Sequence, residues 1–392
     1  MRRVAVIGGG PAGARVALRL AAEGLAVHLF EPRSDHEKAC GGGIPARGLE
    51  AYPFLRDPRL PVRHVDSILL ISPAGREAVV PLREPIGMFR RADLHRVMID
   101  QAVAAGAALL RERVTRFARD ADGWRLTTDR AGSPPTHGPF DLLVAADGAG
   151  GFARRRLAGD IPAAGLTQAV GYYLPGVTAT RATLRFYAGL RGYLWDFPRV
   201  DHASIGICAP LGTRPAANLL NQVEEFIAGR YGAQALARAE RYGALIPGAP
   251  DRPEPARLAG PGWAVAGDCA RAVDPLTREG IYFALVSADL LADAYLGDRL
   301  EDYPARFEAA LGDEFAWAAR HQESFFDARF VERLVRLARR SPRIGVILSE
   351  VISGRQPYRS LRRRLIVNAP RVAWQALFGG RGATPLSAAH DS

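Results

Sequence analysis

Val4-Ala5-Val6-Ile7-Gly8-Gly9-Gly10-Pro11-Ala12-Gly13 stands near the start of the chain and decides its fold. Val4 to Ile7 is a short apolar run suited to a strand that is buried on both faces. The glycines that follow have the G-x-G-x-x-G spacing. Gly8 permits a tight turn, Gly10 lets backbone approach a pyrophosphate, and Gly13 allows close helix–strand packing. The stretch therefore predicts a strand–turn–helix that binds a dinucleotide.

The residues after this turn complete the pattern. Gly24 is placed to end the helix, Leu25 to Phe30 is typical of a second buried strand, and Glu31 follows at its tip. The N-terminus of the helix offers unpaired N–H groups and a positive dipole end to phosphates. Glu31 can accept hydrogen bonds from ribose hydroxyls, and its charge disfavours a 2′-phosphate there. Glycines in this context favour dinucleotide binding over a plain structural turn.

The length and the amino-acid composition of the chain limit the classes of protein to which it can belong. A chain of 392 residues can bury a large core in one large or two interlocked domains. Its apolar runs fall short of the roughly 18 residues that span a bilayer, and we reject the short N-terminal apolar run as a signal peptide. Cys40, Cys208 and Cys269 are too few and scattered for a disulfide framework or a cysteine-based zinc site. We expect a reducing, cytoplasmic setting and no metal.

Strand and helix patterns indicate the domain organisation. Strand–helix–strand runs enclose a more antiparallel section, which predicts an α/β protein with a discontinuous Rossmann-type domain and an inserted sheet-rich α+β substrate domain. The predicted elements include a hairpin (Val65–Ile71 and Ala78–Leu82), a return strand (Ala108–Val114), and helices at Arg91–Ala105, Ala216–Tyr231 and Thr277–Leu296. We assign 1–64, 88–158 and 256–300 to the nucleotide-binding domain, 65–87 and 159–255 to the substrate domain, and 301–392 to a C-terminal helical basic region.

Several motifs resemble those of a known family. Asp147-Gly148 after a strand, and Gly267-Asp268 before a helix, resemble the FAD-dependent monooxygenase-like fold. Lys38-Ala39-Cys40-Gly41-Gly42-Gly43-Ile44-Pro45 and Tyr193-Leu194-Trp195-Asp196-Phe197-Pro198 are similar to the Cys-Gly-Gly loop and the Tyr-x-Trp-x-Phe-Pro motif of the geranylgeranyl reductase family. Asp274 to Ile281 is similar to that family's segment facing the flavin. The resemblance covers about residues 1 to 300.

The resemblance implies FAD as the cofactor and a set of residues that hold it. Asp268 could bond the ribityl chain or the pyrophosphate, and a helix starting near Gly280 would aim N–H groups at the pyrimidine edge of the flavin. Three of the residues that would hold the cofactor also have a purely structural interpretation. Arg91 could be an ordinary surface arginine, Asp268 a helix N-cap, and Asp147 a residue that favours a turn. The cofactor-binding candidates are Gly8, Gly10, Ala12, Gly13, Glu31, Cys40, Gly41, Gly43, Arg91, Val114, Asp147, Gly267, Asp268, Gly280 and Ile281.

Four residues are candidates for the chemistry itself. The resemblance implies that Cys40 lies beside the flavin and shapes the site or protonates the reacting alkene; the alternative is a small buried apolar residue. Tyr193, Trp195 and Phe197 alternate along a strand, so their rings share one face and suit an apolar substrate tunnel. The alternative for these three is ordinary core packing.

The implied activity is that of an FAD-dependent reductase. Reduced flavin would deliver hydride to an isoprenoid C=C bond on a lipid, quinone or chlorophyll precursor, with NADPH, NADH or ferredoxin as the external reductant. The alternative is a monooxygenase or halogenase using O₂, since Trp195-x-Phe197-Pro198 loosely resembles the halogenase Trp-x-Trp-x-Ile-Pro; the lack of a lysine near the substrate domain disfavours a halogenase. A third hypothesis is a non-catalytic electron carrier, because Arg278 stands where related folds commonly have a smaller residue.

Charge is concentrated at the C-terminal end. The formal net charge is +11, and because Lys38 is the single lysine, arginine carries it. From Arg329 to Arg371 arginines recur among few acids and alternate with apolar residues. A basic amphipathic end suits the anionic inner face of a membrane, and the alternative is a solvated helical cap over the substrate domain. Nucleic acid is disfavoured as a partner.

Overall fold

The computed structural model describes residues 1–33, 37–130, 135–177, 179–248 and 258–378. The strands are β1 (Arg3–Ile7), β2 (Ala26–Phe30), β3 (Gly43–Ile44), β4 (Val62–Ile71), β5 (Glu77–Phe89), β6 (Ala108–Leu110), β7 (Val114–Arg119), β8 (Trp124–Thr128), β9 (Thr136–Phe140), β10 (Leu142–Ala145), β11 (Leu166–Pro175), β12 (Ala182–Arg185), β13 (Leu194–Pro198), β14 (His202–Pro210), β15 (Glu240–Pro247), β16 (Ala259–Gly260) and β17 (Trp263–Val265). The helices are α1 (Pro11–Ala22), α2 (Ala46–Ala51), α3 (Arg91–Ala104), α4 (Phe152–Ala158), α5 (Ala216–Tyr231), α6 (Ile281–Leu296), α7 (Tyr303–Phe307), α8 (Asp313–Arg320), α9 (Gln322–Phe325), α10 (Ala328–Arg340), α11 (Pro342–Ile352) and α12 (Tyr358–Phe378).

The first sheet has β1 at its centre. Its order is β16-β17-β10-β1-β2-β6, and the five strands other than β16 run parallel. Val4, Ala5 and Val6 are fully buried, as expected for a strand covered by helices on both faces. From β1 the chain passes through α1 to β2 on one side, while β10 lies on the other side. Strand order therefore reverses beside β1, and such a switch point is where open α/β sheets bind nucleotides.

The second sheet has eight strands in the order β15-β11-β14-β13-β12-β4-β5-β3. All its pairs are antiparallel except β12 with β4. One face packs on α5, where the fully buried Val223 and Ile227 meet Ile205 and Ile207. The opposite face lines a cavity, so this sheet separates a packed core from the candidate site.

A third, three-stranded sheet of β7, β8 and β9 corrects one prediction. The predicted return strand Ala108–Val114 is present but shorter: β6 begins at Ala108 and ends at Leu110 in the first sheet, and Val114 instead begins β7. The polar residues between them cause the break. The carboxylate of Glu112 accepts a hydrogen bond from the Thr128 hydroxyl (2.7 Å) and lies 3.0 Å from His137, which turns the chain into the third sheet.

The start of α6 corrects a second prediction. We expected this helix to begin near Thr277, and it begins at Ile281. The Asp274 carboxylate accepts the N–H groups of Leu276 (2.7 Å) and Thr277 (2.9 Å), which holds the segment in a turn. Arg278 has a left-handed backbone (φ +60°), so a helix cannot pass through it.

Most other predicted elements are confirmed. The 65–82 hairpin is part of β4 and β5, the predicted helix at 91–105 is α3, and Ala216–Tyr231 is α5. The C-terminal part is helical to residue 378, with α10 and α11 packed on β5. None of the described helices is both long enough and apolar enough to cross a membrane. The predicted domain boundary at 255/256 and the last residues of the C-terminal region, 379–392, lie outside the described residues.

Candidate functional site

The glycine turn between β1 and α1 forms an open cradle. Gly8 has φ +98°, and a Cβ on it would lie 2.5 Å from the Ala146 carbonyl oxygen. A Cβ on Gly13 would lie 1.8 Å from the Gly8 carbonyl oxygen, so the helix packs on the turn only with glycine there. A Cβ on Gly10, by contrast, would meet nothing within 4 Å. No side chain of the described residues caps the start of α1, so its first N–H groups face open space that fits a pyrophosphate.

Glu31 lies at the end of β2, against this turn. Its carboxylate accepts hydrogen bonds from the backbone N–H of Gly9 (2.7 Å) and of Arg33 (3.0 Å). The Nε2 atom of His95 lies 3.8 Å from the same carboxylate. The acid is thus fixed one strand away from the phosphate cradle, where a ribose would extend from the pyrophosphate.

A cavity of about 710 Å³ runs from this cradle across the eight-stranded sheet. At one end it is bounded by Gly10, Ala12, Asp268 and Gly280, and at the other by the C-terminal helices. The sheet supplies apolar side chains, which we call the floor: Ile68, Leu70, Ile86, Met88, Leu184, Trp195 and Phe197. The helical side is lined by Leu334, Val335, Ile347, Leu348, Val351 and Leu361. The sequence predicted the aromatic wall, and α10 to α12 cover the cavity in the way that the alternative of a helical cap over the substrate domain describes.

The Cys40 loop crosses the cavity in close contact with the floor. A Cβ on Gly41 would lie 2.8 Å from the Phe197 ring, and one on Gly43 would lie 3.3 Å from the Met88 sulfur. Gly42 has φ +79°, and a Cβ there would lie 2.2 Å from the Phe89 carbonyl oxygen. Gly41 and Gly42 therefore let the loop lie flat on the sheet, Gly43 makes a tight contact with Met88, and Cys40 lies on the cavity wall.

A buried arginine anchors this loop. Arg199, whose side chain has no exposed surface, donates to the Cys40 carbonyl oxygen and forms an ion pair with Glu37. The Ser204 hydroxyl also donates to the Cys40 carbonyl (3.0 Å), and the Tyr173 hydroxyl donates to the Lys38 carbonyl (2.9 Å). Sequence reasoning missed Arg199 and Glu37. The one available signal was that Arg199 directly follows the Trp-x-Phe-Pro stretch, between two mostly apolar strands.

Glu37 joins the same loop to α3. Its carboxylate accepts the backbone N–H groups of Arg91 (3.0 Å) and Ala92 (2.8 Å), which have no partner within the helix. A carboxylate at this position is stabilised by the helix dipole. The contact fixes the start of α3 beside the Cys40 loop, and so places Arg91 next to Cys40.

Arg91 and Cys40 form an electrostatic pair on the cavity wall. Arg91 is 6% exposed, and its Nε atom has no hydrogen-bond partner among the described residues. Burial alone would raise the pKa of the Cys40 thiol, but the charges of Arg91 and Arg199 and the Gly42 N–H outweigh it. The pKa of Cys40 is consequently lower than that of an ordinary cysteine, which makes the thiol a better acid.

The three predicted aromatic residues line the cavity together. Trp195 donates from Nε1 to the Ser204 hydroxyl (3.3 Å), and the Tyr193 hydroxyl donates to the Thr277 carbonyl in the segment before α6. Burial raises the pKa of Tyr193 well above its ordinary value, so its hydroxyl stays protonated. Phe197 packs against Gly41. The strand thus connects the floor to both the Cys40 loop and the 274–280 segment.

Asp268 lies where the first sheet meets the cavity. It follows β17, lines the cavity, and its carboxylate lies 3.5 Å from the Lys38 ammonium. Gly267 has φ +64° and donates its N–H to the Ser287 hydroxyl (2.9 Å), which fixes the turn on α6. Gly280 and Ile281, at the start of α6, also line the cavity. The structure therefore brings the predicted pyrophosphate end of the cofactor site, at Gly10 and Ala12, and its predicted flavin end, at Gly280 and Ile281, into the lining of one cavity.

Asp147 and Val114 have other surroundings. The Asp147 carboxylate accepts the N–H groups of Ala153 (2.7 Å) and Arg154 (3.2 Å) at the start of α4, and burial raises its pKa. Val114 is buried in the core beneath the third sheet. Neither side chain lies on the cavity wall, and their cofactor contacts stay predictions. Among the described residues, no cluster of His, Cys, Asp or Glu is placed to hold a metal ion.

Residues 3–69 match the family model described as an FAD binding domain. This stretch, which includes the glycine turn, is similar to an FAD-binding domain. The chain is 28% identical over 316 residues to a geranylgeranyl diphosphate reductase of Synechocystis sp., with 74% of each chain covered. It is 27% identical over 305 residues to a digeranylgeranylglycerophospholipid reductase of Methanoculleus marisnigri, covering 74% of this chain and 75% of that one. The predicted FAD cofactor and the resemblance to geranylgeranyl reductases are confirmed.

Solved structures confirm the fold class. A geranylgeranyl bacteriochlorophyll reductase-like protein from Thermoplasma acidophilum superposes with a TM-score of 0.72 at 18% identity, covering 94% of this chain and 99% of that one. A flavin-dependent brominase superposes with a TM-score of 0.65 at 20% identity, with the same coverage. The fold is thus that of FAD-dependent oxidoreductases, and this fold alone does not separate reductase from halogenase.

Proposed function

We propose that this protein is an FAD-dependent reductase that saturates C=C bonds of an isoprenoid chain. One observation carries the proposal: a single cavity joins the dinucleotide cradle at Gly10 to a long apolar floor that ends beneath α10 at Val335. Such a space fits a flexible hydrocarbon better than a compact aromatic substrate. The relatives named as reductases of geranylgeranyl groups support the same conclusion.

The proposed cofactor contacts follow from the site. The Gly8–Gly13 turn and the N-terminus of α1 would hold the pyrophosphate, and Glu31 would hold the adenosine ribose. Asp268 would hold the ribityl chain, and the N–H groups at Gly280 and Ile281 would meet the flavin ring. Cys40, Gly41, Gly43 and Arg91 would border the ring from the loop side. The division into nucleotide-binding and substrate domains remains a proposal, supported by the separation of the two large sheets.

The protein's own contribution is to place the alkene and supply a proton. When bound and reduced, the flavin supplies a hydride to one carbon of the double bond. Cys40 Sγ gives its proton to the other carbon, and the negative charge left on sulfur is stabilised by Arg91 and Arg199. Water then restores the thiol. Because an isolated alkene is a poor hydride acceptor, the floor must hold the double bond in the correct position between the flavin and Cys40 and must exclude water.

The electron donor and the setting are further parts of this proposal. NADPH, NADH or ferredoxin would reduce the flavin, and the prenyl chain would be carried by a lipid, quinone or chlorophyll precursor. The protein would lie in the cytoplasm, with α12 against an anionic membrane surface. On α12 the exposed Arg362 and Arg363 are followed by Ile366 and Val367, which are 62% and 69% exposed, an arrangement that suits a lipid interface.

The test is a mass measurement on the reduced flavoprotein. The purified protein is reduced by dithionite in the absence of oxygen and mixed with geranylgeranyl lipids or prenylquinones. The molecular mass of the product is then measured. A gain of two hydrogens per bond is expected. No gain here, together with an oxygen or bromine atom gained under air with a pyridine nucleotide and bromide, would replace the reductase by the monooxygenase or halogenase. If neither assay gave a product, the result would favour an electron carrier.

A further inference from the structure

Arg278 has an unfavourable backbone conformation on the cavity wall. Its φ of +60° is one of three positive values outside glycine among the described residues. The turn that imposes it is well fixed: Arg278 N–H donates to the Asp274 carbonyl (3.0 Å), and Asp274 N–H donates to the Glu279 carbonyl (3.0 Å). A residue with a Cβ is strained in this region, and such strain clusters at ligand sites. The turn directs the Arg278 side chain into the cavity.

The guanidinium lies among apolar groups without a counter-charge. It lies beside the Cys208 thiol, whose pKa burial raises and the Arg278 charge lowers. The neighbouring wall is made of Ala169, Ala244 and Ile246. Its Nε atom is buried without an acceptor, and no described carboxylate forms an ion pair with it. A partly buried cation that faces apolar groups is costly unless a ligand supplies the missing negative charge.

The nearest acids already have partners. The Asp274 carboxylate accepts a hydrogen bond from the Tyr358 hydroxyl (2.9 Å) as well as from its own turn. Glu279 forms an ion pair with Arg47, which also lies over the Tyr282 ring. Glu279 is therefore paired with another arginine and Asp274 is engaged in hydrogen bonds, while Arg278 faces the cavity.

We propose that Arg278 binds an anionic phosphoryl group on the head of the prenyl substrate, an inference that rests on the proposed function. Cys208 belongs to β14, and from β14 the floor continues over β13, β12 and β4 to β5. Four strand spacings of about 4.8 Å give roughly 19 Å of apolar floor beyond the head. The hydrocarbon runs over Trp195 and Leu184 and ends beneath α10, so Arg278 sets the direction in which the chain lies.

The experiment measures ligand binding to the oxidised flavoprotein, independently of turnover. Geranylgeranyl diphosphate, geranylgeraniol and inorganic pyrophosphate are titrated while the flavin absorbance and the heat of binding are followed. Wild type is expected to bind the diphosphate at least about tenfold more tightly than the alcohol, the factor typical of one charge-assisted hydrogen bond. Pyrophosphate alone, if it binds as tightly as the prenyl diphosphate, would identify a free-phosphate site and overturn the head-group assignment.

Three variants complete the test. R278M is expected to lose the preference for diphosphate while keeping its affinity for the alcohol, and R278K is expected to retain part of the preference. R278G checks folding, because glycine accepts φ +60°, and it should behave as R278M does. R59M, at an exposed arginine that does not line the cavity, should keep the full preference. A preference that survives in R278M and R278G, or disappears in R59M alone, overturns the proposal.

The binding result separates this inference from the proposed function. Arg278-dependent binding of the diphosphate without any two-hydrogen product would leave the phosphoryl site standing and remove the reductase assignment. If the saturated product formed but the diphosphate and the alcohol bound equally well, the reductase assignment would stand and the phosphoryl site would be removed.

Discussion

Arg199 and Cys40 are joined through the backbone: the fully buried Arg199 guanidinium donates to the Cys40 carbonyl oxygen. The same guanidinium pairs with Glu37, which holds the first N–H groups of α3. One side chain between β13 and β14 thus fixes the Cys40 loop and Arg91 together. The position of the candidate proton donor depends on a residue that does not touch the cavity.

Removing this arginine should destabilise the protein. R199M leaves Glu37 and the Cys40 carbonyl partly buried without their charged partner, and we expect the free energy of unfolding to fall by about 3–5 kcal/mol. Denaturant unfolding followed by circular dichroism measures it. R59M is the matched control, because the Arg59–Asp57 pair has its arginine 72% exposed and should change stability by less than about 1 kcal/mol. Equal effects of the two substitutions would contradict the anchoring role.

The pH dependence of reduction should report Cys40. The proton donor acts in its protonated form, so activity is retained below the thiol pKa and lost as pH rises through it. Because Arg91 and Arg199 lower that pKa, the decline should begin at a lower pH than for an ordinary cysteine. Single-turnover reoxidation of the reduced flavoprotein by substrate, measured across pH, gives the profile.

Two variants test the source of that alkaline decline. C40S should reduce the rate by about 10²–10⁴-fold and abolish the decline, because a hydroxyl does not titrate in this range. R91M should move the decline to higher pH, since it removes a positive charge that lowers the thiol pKa. A C40S protein with an unchanged profile would show that the proton comes from elsewhere.

Alanine substitutions at Gly10 and Gly13, the two glycines of the cradle, should have different effects on stability. A Cβ on Gly10 would meet no atom of the described residues within 4 Å, whereas one on Gly13 would lie 1.8 Å from the Gly8 carbonyl oxygen. We expect G10A to fold with unchanged stability and to lose FAD, because its methyl group occupies the pyrophosphate space. G13A should lose stability as well as FAD. Flavin content and the unfolding midpoint of the apo-protein distinguish them; G150A, at a glycine with no neighbour within 4 Å, should change neither.

The sequence predicted the parts of the site that depend on local chemistry. Gly8, Gly10 and Gly13 have their spacing because a turn, a helix start and a strand must meet within a few residues, and local geometry leaves a readable pattern. The floor strand from Leu194 to Pro198 was predictable for a similar reason, since rings alternate with period two.

The missed parts depend on contacts between distant segments. Glu37 and Arg199 are 162 residues apart, and nothing local to either residue specifies the other. The break between β6 and β7 was missed because Glu112 is held by Thr128 and His137 from a different sheet. The late start of α6 was missed because the Asp274 side chain competes for the N–H groups of Leu276 and Thr277.

Asp196 should make stability depend on pH. It points away from the cavity, and burial raises its pKa to about 6 despite a 2.6 Å hydrogen bond from the Tyr231 hydroxyl. Between about pH 4 and 6 the native state keeps a proton that the unfolded state has lost, so stability falls as pH rises through this window. Relative to D196N, wild type should lose roughly 2 kcal/mol between pH 4.5 and 7.5 in denaturant unfolding. A difference that does not change with pH would contradict the raised pKa.

The length of the floor should set the length of the chain that is reduced. Leu184 lies in the middle of the floor, with Trp195 and Phe197 on one side and Ile68 and Leu70 on the other. L184W adds an indole ring to this space, and kcat/KM should fall about tenfold or more for a twenty-carbon chain and less for a ten-carbon chain. The change is read from competition between the two substrates in one reaction, with product masses giving the ratio. V79W places the same ring at a valine that is 44% exposed and should leave the ratio unchanged. If L184W slowed both chain lengths equally, the substrate would not extend over this part of the sheet, and the cavity beyond Trp195 would serve another purpose.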